Sequence, residues 1–486
     1  MDKHIESKPP INLSQFWFGP YALALAALLI AVMAGAITYM YTIKFVELAV
    51  LALGGAIVMG TLIVKDQYAW LAGILVVVGL FIDWYGLIDL PYPYPVYAAA
   101  LAMVVVAAIL LKRLAQRELA FSAQFWLWIS LLILAIPPIF WSLHLSDGVF
   151  YYVGVFFGPM LLYFVGMQMS RNMTQVRRLL NLLAALGALI GVHTIIAGKT
   201  GQFLLLTSKA SAYLASANNF TVAGGTAIRV GSFFGNPDWN GAFLAMIVFL
   251  PAGLFFTTSS RSAKMLYLAE IALIMLALLY TVTASSWIAV AIGLVLFYLL
   301  VIRGHKRVWL PALFGLALIA SYILLPHEFS VLNQHIHDTS DALLRFGAWE
   351  TASKIIASHP FNGLGLDLNT YLLRAEPYRV PLQYRPLAHP HDSYLELAAL
   401  AGIQVLIAFL ALLGVATWRA FRTYRWATPR YRPLLGGALT AILVLTMNSV
   451  TINGWTLSPL AYIGWLILGA ISSATLGQAA PKEEES

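Results

Sequence analysis

Three observations predict an all-α polytopic membrane protein, with about 12–14 transmembrane helices and a long outer loop containing an amphipathic helix. Of its residues, 60% are hydrophobic and only 10% are charged, and the mean hydropathy is +0.81. Apolar runs of roughly 17 to 25 residues, the length that crosses a hydrocarbon layer, recur along nearly the whole chain. Short basic segments fall on one side of the alternating spans.

The runs are Phe16–Tyr41, Leu48–Val64, Ala69–Ile82, Val96–Leu111, Phe121–Leu143, Val149–Met169, Leu179–Ile196, Gly241–Phe256, Met265–Val282, Trp287–Ile302, Leu310–Leu325, Ser393–Trp418, Pro433–Val450 and Leu460–Leu476. Fourteen is the full count; the short second and third runs set the lower bound of twelve. The first run is too long for a signal-peptide core and lacks a small-residue cleavage site, so it is expected to stay as a span. The chain divides into an N-terminal bundle of about seven spans (1–196), an outer loop plus four spans (197–325), a second long outer loop (326–392), and three C-terminal spans with a tail (393–486).

With a cytoplasmic N-terminus, 20 of the 29 Lys and Arg residues lie on the inner side, including Lys112, Arg113 and Arg117, and the run from Arg419 to Arg432. Both termini are then cytoplasmic, and the two long loops face outward. Positive charges scattered between apolar runs exclude a nucleic-acid face despite the net charge of +8. Without cysteine there is no disulfide, thiolate metal site or catalytic thiol.

Five of the nine outer basic residues are arginines: Arg229, Arg345, Arg374, Arg379 and Arg385. They concentrate in the long loops, against the positive-inside tendency. The guanidinium fork suits phosphate, so an anion site is the sharper reading. The plainer one is that long translocated loops escape the tendency, with Arg229 pairing Asp238 and Arg345 pairing Asp341. The glycine-rich segment Arg229-Val230-Gly231 to Gly235-Asn236-Pro237 predicts a tight loop before the next span. Ser340–Ser358 reads as an amphipathic helix with a stripe of Leu343, Leu344, Phe346, Trp349, Ala352, Ile355 and Ile356, lying either on the membrane surface or on the protein itself.

The polar segment Arg385 to Glu396 joins the second loop to a membrane-length helix, with His389 and His391 at the junction. Ser393 and Glu396 have capping-box spacing, which predicts a helix start at Asp392 or Ser393 and puts His391 beside its unpaired N–H groups. That end of a helix favours a neutral, proton-accepting imidazole and favours phosphate; Asp392 pulls the histidine the other way. His389 and Asp392 are the candidate supporting residues, and Tyr394 and Glu396 read as capping and packing.

Arg229-x-Gly-x-Phe followed by Asn-Pro, Arg345 with Trp349 and Gly363-x-Gly365, and His391 followed by Gly402 resemble the O-antigen ligase and O-antigen polymerase superfamily of bacterial membrane glycosyltransferases, over about residues 190–450. Asp392 stands where the family usually has an amide or hydroxyl residue, and Val405 where it has a small or hydroxyl one. Ser285-Ser286-Trp287 lacks an arginine that many members carry there, which Arg374, Arg379 or Arg385 could replace. The resemblance implies a metal- and cofactor-independent, inverting transfer of glycan from an undecaprenyl diphosphate donor to an acceptor hydroxyl. The acceptor is lipid A-core in ligases and another lipid-linked repeat in polymerases. It further implies His391 as base, with Arg229, Arg345 and Arg385 on the diphosphate. Partners are the lipid-linked donor, a lipid or glycan acceptor and membrane lipids.

Two rivals stay open. A metal-dependent glycosyltransferase needs converging carboxylates, for which Asp338, Asp341 and Asp367 are available. A transporter or lipid-glycan flippase needs ionisable groups at mid-membrane. Here the span centres are nearly free of charge, Glu270, and Glu396 near a helix start, being the main exceptions.

Overall fold

The computed structural model describes residues 45–81, 94–117, 123–170, 172–201, 219–222, 225–302, 323, 339–383 and 385–472. The expected spans Phe16–Tyr41 and (but for one residue) Leu310–Leu325, and the C-terminal tail beyond Ser472, lie outside them. Within them the chain is an all-α polytopic membrane protein. The helices are α1 (Phe45–Val64), α2 (Tyr68–Phe81), α3 (Tyr94–Ala115), α4 (Ala123–Leu134), α5 (Leu145–Tyr152), α6 (Gly158–Met169) and α7 (Met173–Thr200). A small antiparallel hairpin follows, β1 (Asn219–Val222) with β2 (Gly225–Ile228). Then come α8 (Pro237–Ile247), α9 (Phe249–Thr257), α10 (Arg261–Thr281), α11 (Ala284–Val301), α12 (Thr339–Ser358), α13 (Leu368–Arg374), α14 (Ser393–Ala401), α15 (Ile403–Trp426), α16 (Arg432–Asn448) and α17 (Ser458–Ile471). Eight helical stretches among the described residues are long and apolar enough to cross a membrane, and four shorter ones are apolar. These twelve coincide with the sequence runs that fall on described residues.

At one end of the bundle Lys112 donates to Asp66 at 2.8 Å and to the Ile63 carbonyl at 2.7 Å, and Gln175 donates to the Asp66 carbonyl at 3.1 Å. The basic loops expected to be inner therefore meet. At the other end the second long loop docks on the α4–α5 connection: Trp141 Nε1 donates to the Asn362 carbonyl at 2.7 Å, and Leu143 N–H to Thr370 Oγ1 at 2.9 Å.

The expected single helix Ser393–Trp418 is broken at Gly402, which has φ +91°. The chain closes on itself there. Leu364 and Gly365 N–H donate to the carbonyls of Ala399 and Leu400 at 2.9 and 3.0 Å, and Ile403 N–H donates to the Pro360 carbonyl at 2.8 Å. A Cβ on Gly402 would lie 2.3 Å from the Phe361 carbonyl oxygen, and one on Gly363 would lie 2.3 Å from that of Leu400. Backbone contact that close, with positive φ at both positions, admits only glycine. The Gly363-x-Gly365 and Gly402 motifs thus lock the outer loop to the rim, and the membrane span begins at Ile403 rather than Ser393.

The stripe on α12 also differs from expectation. Leu344, Ala348, Thr351, Ala352 and Ile355 are buried, whereas Leu343 and Phe346 are exposed, the latter 53%. The buried face packs on the protein, including α14, so one side of the helix is spent on the fold and Phe346 stands edge-on to Trp349 outside it. Beneath the rim lies an aromatic core, with ring centroids 4.7 Å apart for Trp128–Trp465 and 5.3 Å for Trp455–Trp465.

Candidate active site

Arg229 follows β2 and enters a loop that is pinned by backbone. Val230 N–H donates to the Tyr280 carbonyl at 2.9 Å. Buried Asn240 donates to the Val230 carbonyl at 3.0 Å and to Thr194 Oγ1 at 3.1 Å. Gly235, with φ +62°, ends a short turn over Ser232–Phe234, and Asn236 caps α8 by accepting the Asp238 N–H at 2.8 Å. Pro237 takes the first helical position, where no N–H is needed.

This start of α8 aims Asp238 between two arginines. Its Oδ1 accepts from Arg229 Nη2 at 2.6 Å, and its Oδ2 from Arg345 Nη2 at 3.2 Å. Arg229 Nε also donates to the Thr281 carbonyl at 3.2 Å, and Arg345 Nη1 to the Thr451 carbonyl at 3.5 Å. The three side chains are only 16%, 17% and 10% exposed in the order Arg229, Arg345, Asp238. The charges are therefore weakly screened and held in fixed geometry. Removing Asp238 would leave two buried guanidinium groups without their shared counter-charge.

His389 and His391 lie within electrostatic range of the same carboxylate. His391 adopts φ +53°, an uncommon backbone for a residue with a side chain. The turn brings the two imidazole centroids to 4.2 Å and lets the His391 N–H donate to His389 Nδ1 at 3.2 Å. Burial, with the charges of His391 and Arg345, holds His389 well below the usual histidine range, against the pull of Asp238. His389 is thus neutral at neutral pH, and with Nδ1 accepting, its proton sits on Nε2.

The histidine turn is fixed by its neighbours. Ser393 N–H donates to the Ser449 carbonyl at 2.9 Å, Trp455 N–H to Ser393 Oγ at 3.0 Å, and Tyr394 Oη to the Thr446 carbonyl at 2.8 Å. Helix α14 is capped by Asp392, whose Oδ1 accepts the N–H groups of Tyr394 and Leu395 at 2.7 and 2.9 Å. The expected capping box does not form, because Ser393 and Glu396 bond elsewhere. Burial pushes the Asp392 carboxyl up to about 6, against those two backbone bonds.

Glu396 is 1% exposed and accepts the Tyr151 hydroxyl at 2.6 Å. Burial pushes its carboxyl from the ordinary 4.5 up to about 7, with the Tyr151 bond opposing. The folded state therefore holds this proton more tightly than the unfolded chain. Its stabilising contribution is complete below about pH 4.5 and is lost as pH rises through about 7. Glu396→Gln is expected to flatten that loss: thermal unfolding in detergent should match wild type near pH 5 and exceed it near pH 8. Equal melting temperatures at pH 8 would show that the carboxyl carries no such cost.

Of the residues singled out from sequence, Arg229, Arg345, His389 and His391 are brought together around Asp238. Arg345 reaches Asp238 rather than its helix neighbour Asp341. Arg385 lies exposed on the loop, with no ion pair or hydrogen bond among the described residues. Arg374 is committed to the Leu364 carbonyl at 2.8 Å, and Arg379 to Glu376 at 2.8 Å. Where the family often carries an arginine, Thr283 Oγ1 donates to the Pro237 carbonyl at 3.1 Å and Ser286 Oγ accepts from Asn448 at 3.1 Å. Among the described residues no group of three or more His, Asp or Glu converges to hold a metal ion. Sequence reasoning named Asp238 only as a partner of Arg229; its bridging role needed the contact with Arg345, 107 residues away.

An all-helical membrane protein with two arginines and two histidines gathered at one end of its bundle is the class these features define. Residues 244–410 match the family model described as O-Antigen ligase, which supports the O-antigen ligase superfamily. The matched stretch contains Arg345, His389 and His391 and begins just after Asp238. No curated protein matches the chain. The family suggests a glycosyltransferase-like, multi-pass inner-membrane enzyme with a lipid-linked glycan donor.

Proposed function

We propose that the protein is an O-antigen ligase-like glycosyltransferase, moving a glycan from undecaprenyl diphosphate to an acceptor hydroxyl, lipid A-core in ligases, on the outer face of the cytoplasmic membrane. The convergence of Arg229 and Arg345 on one carboxylate, at 2.6 and 3.2 Å, carries this reading. Two oxygens of a carboxylate and two of a phosphate present similar spacing to a pair of guanidinium groups. Negative charge grows on the diphosphate as the sugar leaves, and fixed donors in a poorly hydrated site stabilise it there. His391, beside the same point, takes the proton of the attacking hydroxyl. The neutral His389 orients that turn through the His391 N–H. Attack opposite the leaving diphosphate inverts the anomeric centre in one displacement, and no metal is used.

The test is transfer by purified protein from an undecaprenyl diphosphate-linked glycan, with excess chelator and lipid A-core as acceptor. A single transfer product is expected. A ladder of growing chain length made without lipid A-core would replace ligase by polymerase. Product that vanishes with chelator would replace the metal-free mechanism, and absence of product with either acceptor would favour a flippase.

A further inference from the structure

The anion position between the two arginines is already filled by the chain itself. Both Asp238 oxygens are engaged, Oδ1 by Arg229 and Oδ2 by Arg345, and Thr283 Oγ1 lies 3.3 Å from Oδ1. The carboxylate projects from the first turn of α8, where the helix field favours negative charge. Arg229 and Arg345 come from separate elements, the coil after β2 and the α12 helix. Each is also anchored by backbone, Arg229 by the Thr281 carbonyl and Arg345 by the Thr451 carbonyl, and the carboxylate bridges the two groups so placed. A donor diphosphate seeking the same groups meets a single negative charge in its place.

We propose that Asp238 stands in for phosphate, balancing the charge of the two arginines before the donor binds and giving them up to the donor's diphosphate. This rests on the donor reading above and deepens it. The exchange is ionic, with no bond made or broken. It also sets selectivity: a diphosphate carries enough charge to displace a carboxylate from two guanidinium groups, whereas a monophosphate competes less well. The carboxylate thus weakens binding of every anion while filtering out the weaker ones.

The experiment measures affinity of the full chain, in lipid nanodiscs, for undecaprenyl diphosphate and undecaprenyl monophosphate. Asp238→Asn is expected to bind the diphosphate about tenfold more tightly than wild type, about 1.4 kcal/mol. The preference for diphosphate over monophosphate should narrow. Donor KM in the transfer assay should fall without a rise in kcat. A merely structural aspartate would give the opposite, so unchanged or weaker binding by a folded Asp238→Asn overturns the proposal. Should that variant fail to fold, a structure of the wild type with undecaprenyl diphosphate decides: Asp238 detached from both guanidinium groups supports the exchange, and Asp238 still bridging them overturns it. The controls separate this from the donor reading. If wild type binds diphosphate and Arg229→Ala does not, the donor reading stands whatever Asp238→Asn does. If neither wild type nor any variant binds it, both fall.

Discussion

His391→Ala is expected to lower kcat for glycan transfer by a factor of about 10² to 10⁴, the range a general base supplies, with little change in donor affinity. The backbone complicates the choice of substitution. His391 sits at φ +53°, where histidine and asparagine are tolerated better than alanine, so alanine adds a conformational cost unrelated to chemistry. His391→Asn separates the two. It keeps the backbone preference and removes the base, and it should lose as much activity as alanine while melting closer to wild type. Near-wild-type turnover by His391→Asn would remove this residue from proton transfer and leave it as a turn former. His389→Asn is the companion variant: it removes the Nδ1 acceptor of the His391 N–H, found at 3.2 Å, and should cost less than loss of the base.

Hydropathy and the placement of Lys and Arg made the bundle legible, because a span is dictated by local composition and length. The described helices fall on the expected runs, including the shortest run, Ala69–Ile82, seen as α2. Arg229, Arg345 and His391 could be picked out through motif resemblance, yet nothing local shows that they share one carboxylate. That depends on the contact between α8 and α12, set by how the long loop docks. The docking itself was hidden in glycines: Gly402 stood out only by its spacing from His391, and only the approach of the Phe361 carbonyl explains the break. The α12 stripe was misread for a related reason. Periodicity finds apolar residues but does not distinguish the side that meets α14 from the side carrying Phe346. The capping box failed because a better acceptor, Asp392, already faced the first N–H groups.

Arg229→Ala and Arg345→Ala are each expected to reduce kcat/KM by about 10² to 10³, the usual cost of deleting one fixed donor to developing charge. Arg229→Lys and Arg345→Lys should recover only part of it, since an ammonium lacks the planar fork. Stability distinguishes these losses from damage to the fold. In Arg229→Ala the buried Asp238 loses its 2.6 Å partner but keeps Arg345 at 3.2 Å, a balanced pair, so the variant should melt close to wild type while losing transfer. A drop in stability as large as the about 3 to 5 kcal/mol of an unpaired buried charge would show that Arg229 serves the fold through Asp238 and not the donor. Adding Asp238→Asn to Arg229→Ala takes the carboxylate from Arg345 as well, and should lower stability further without restoring transfer. Transfer lost at near-wild-type stability in Arg229→Ala means that the guanidinium acts on the substrate directly. The Arg229→Ala/Arg345→Ala pair should fall short of the sum of the single losses, because both groups act on one anion and neither loss is independent of the other.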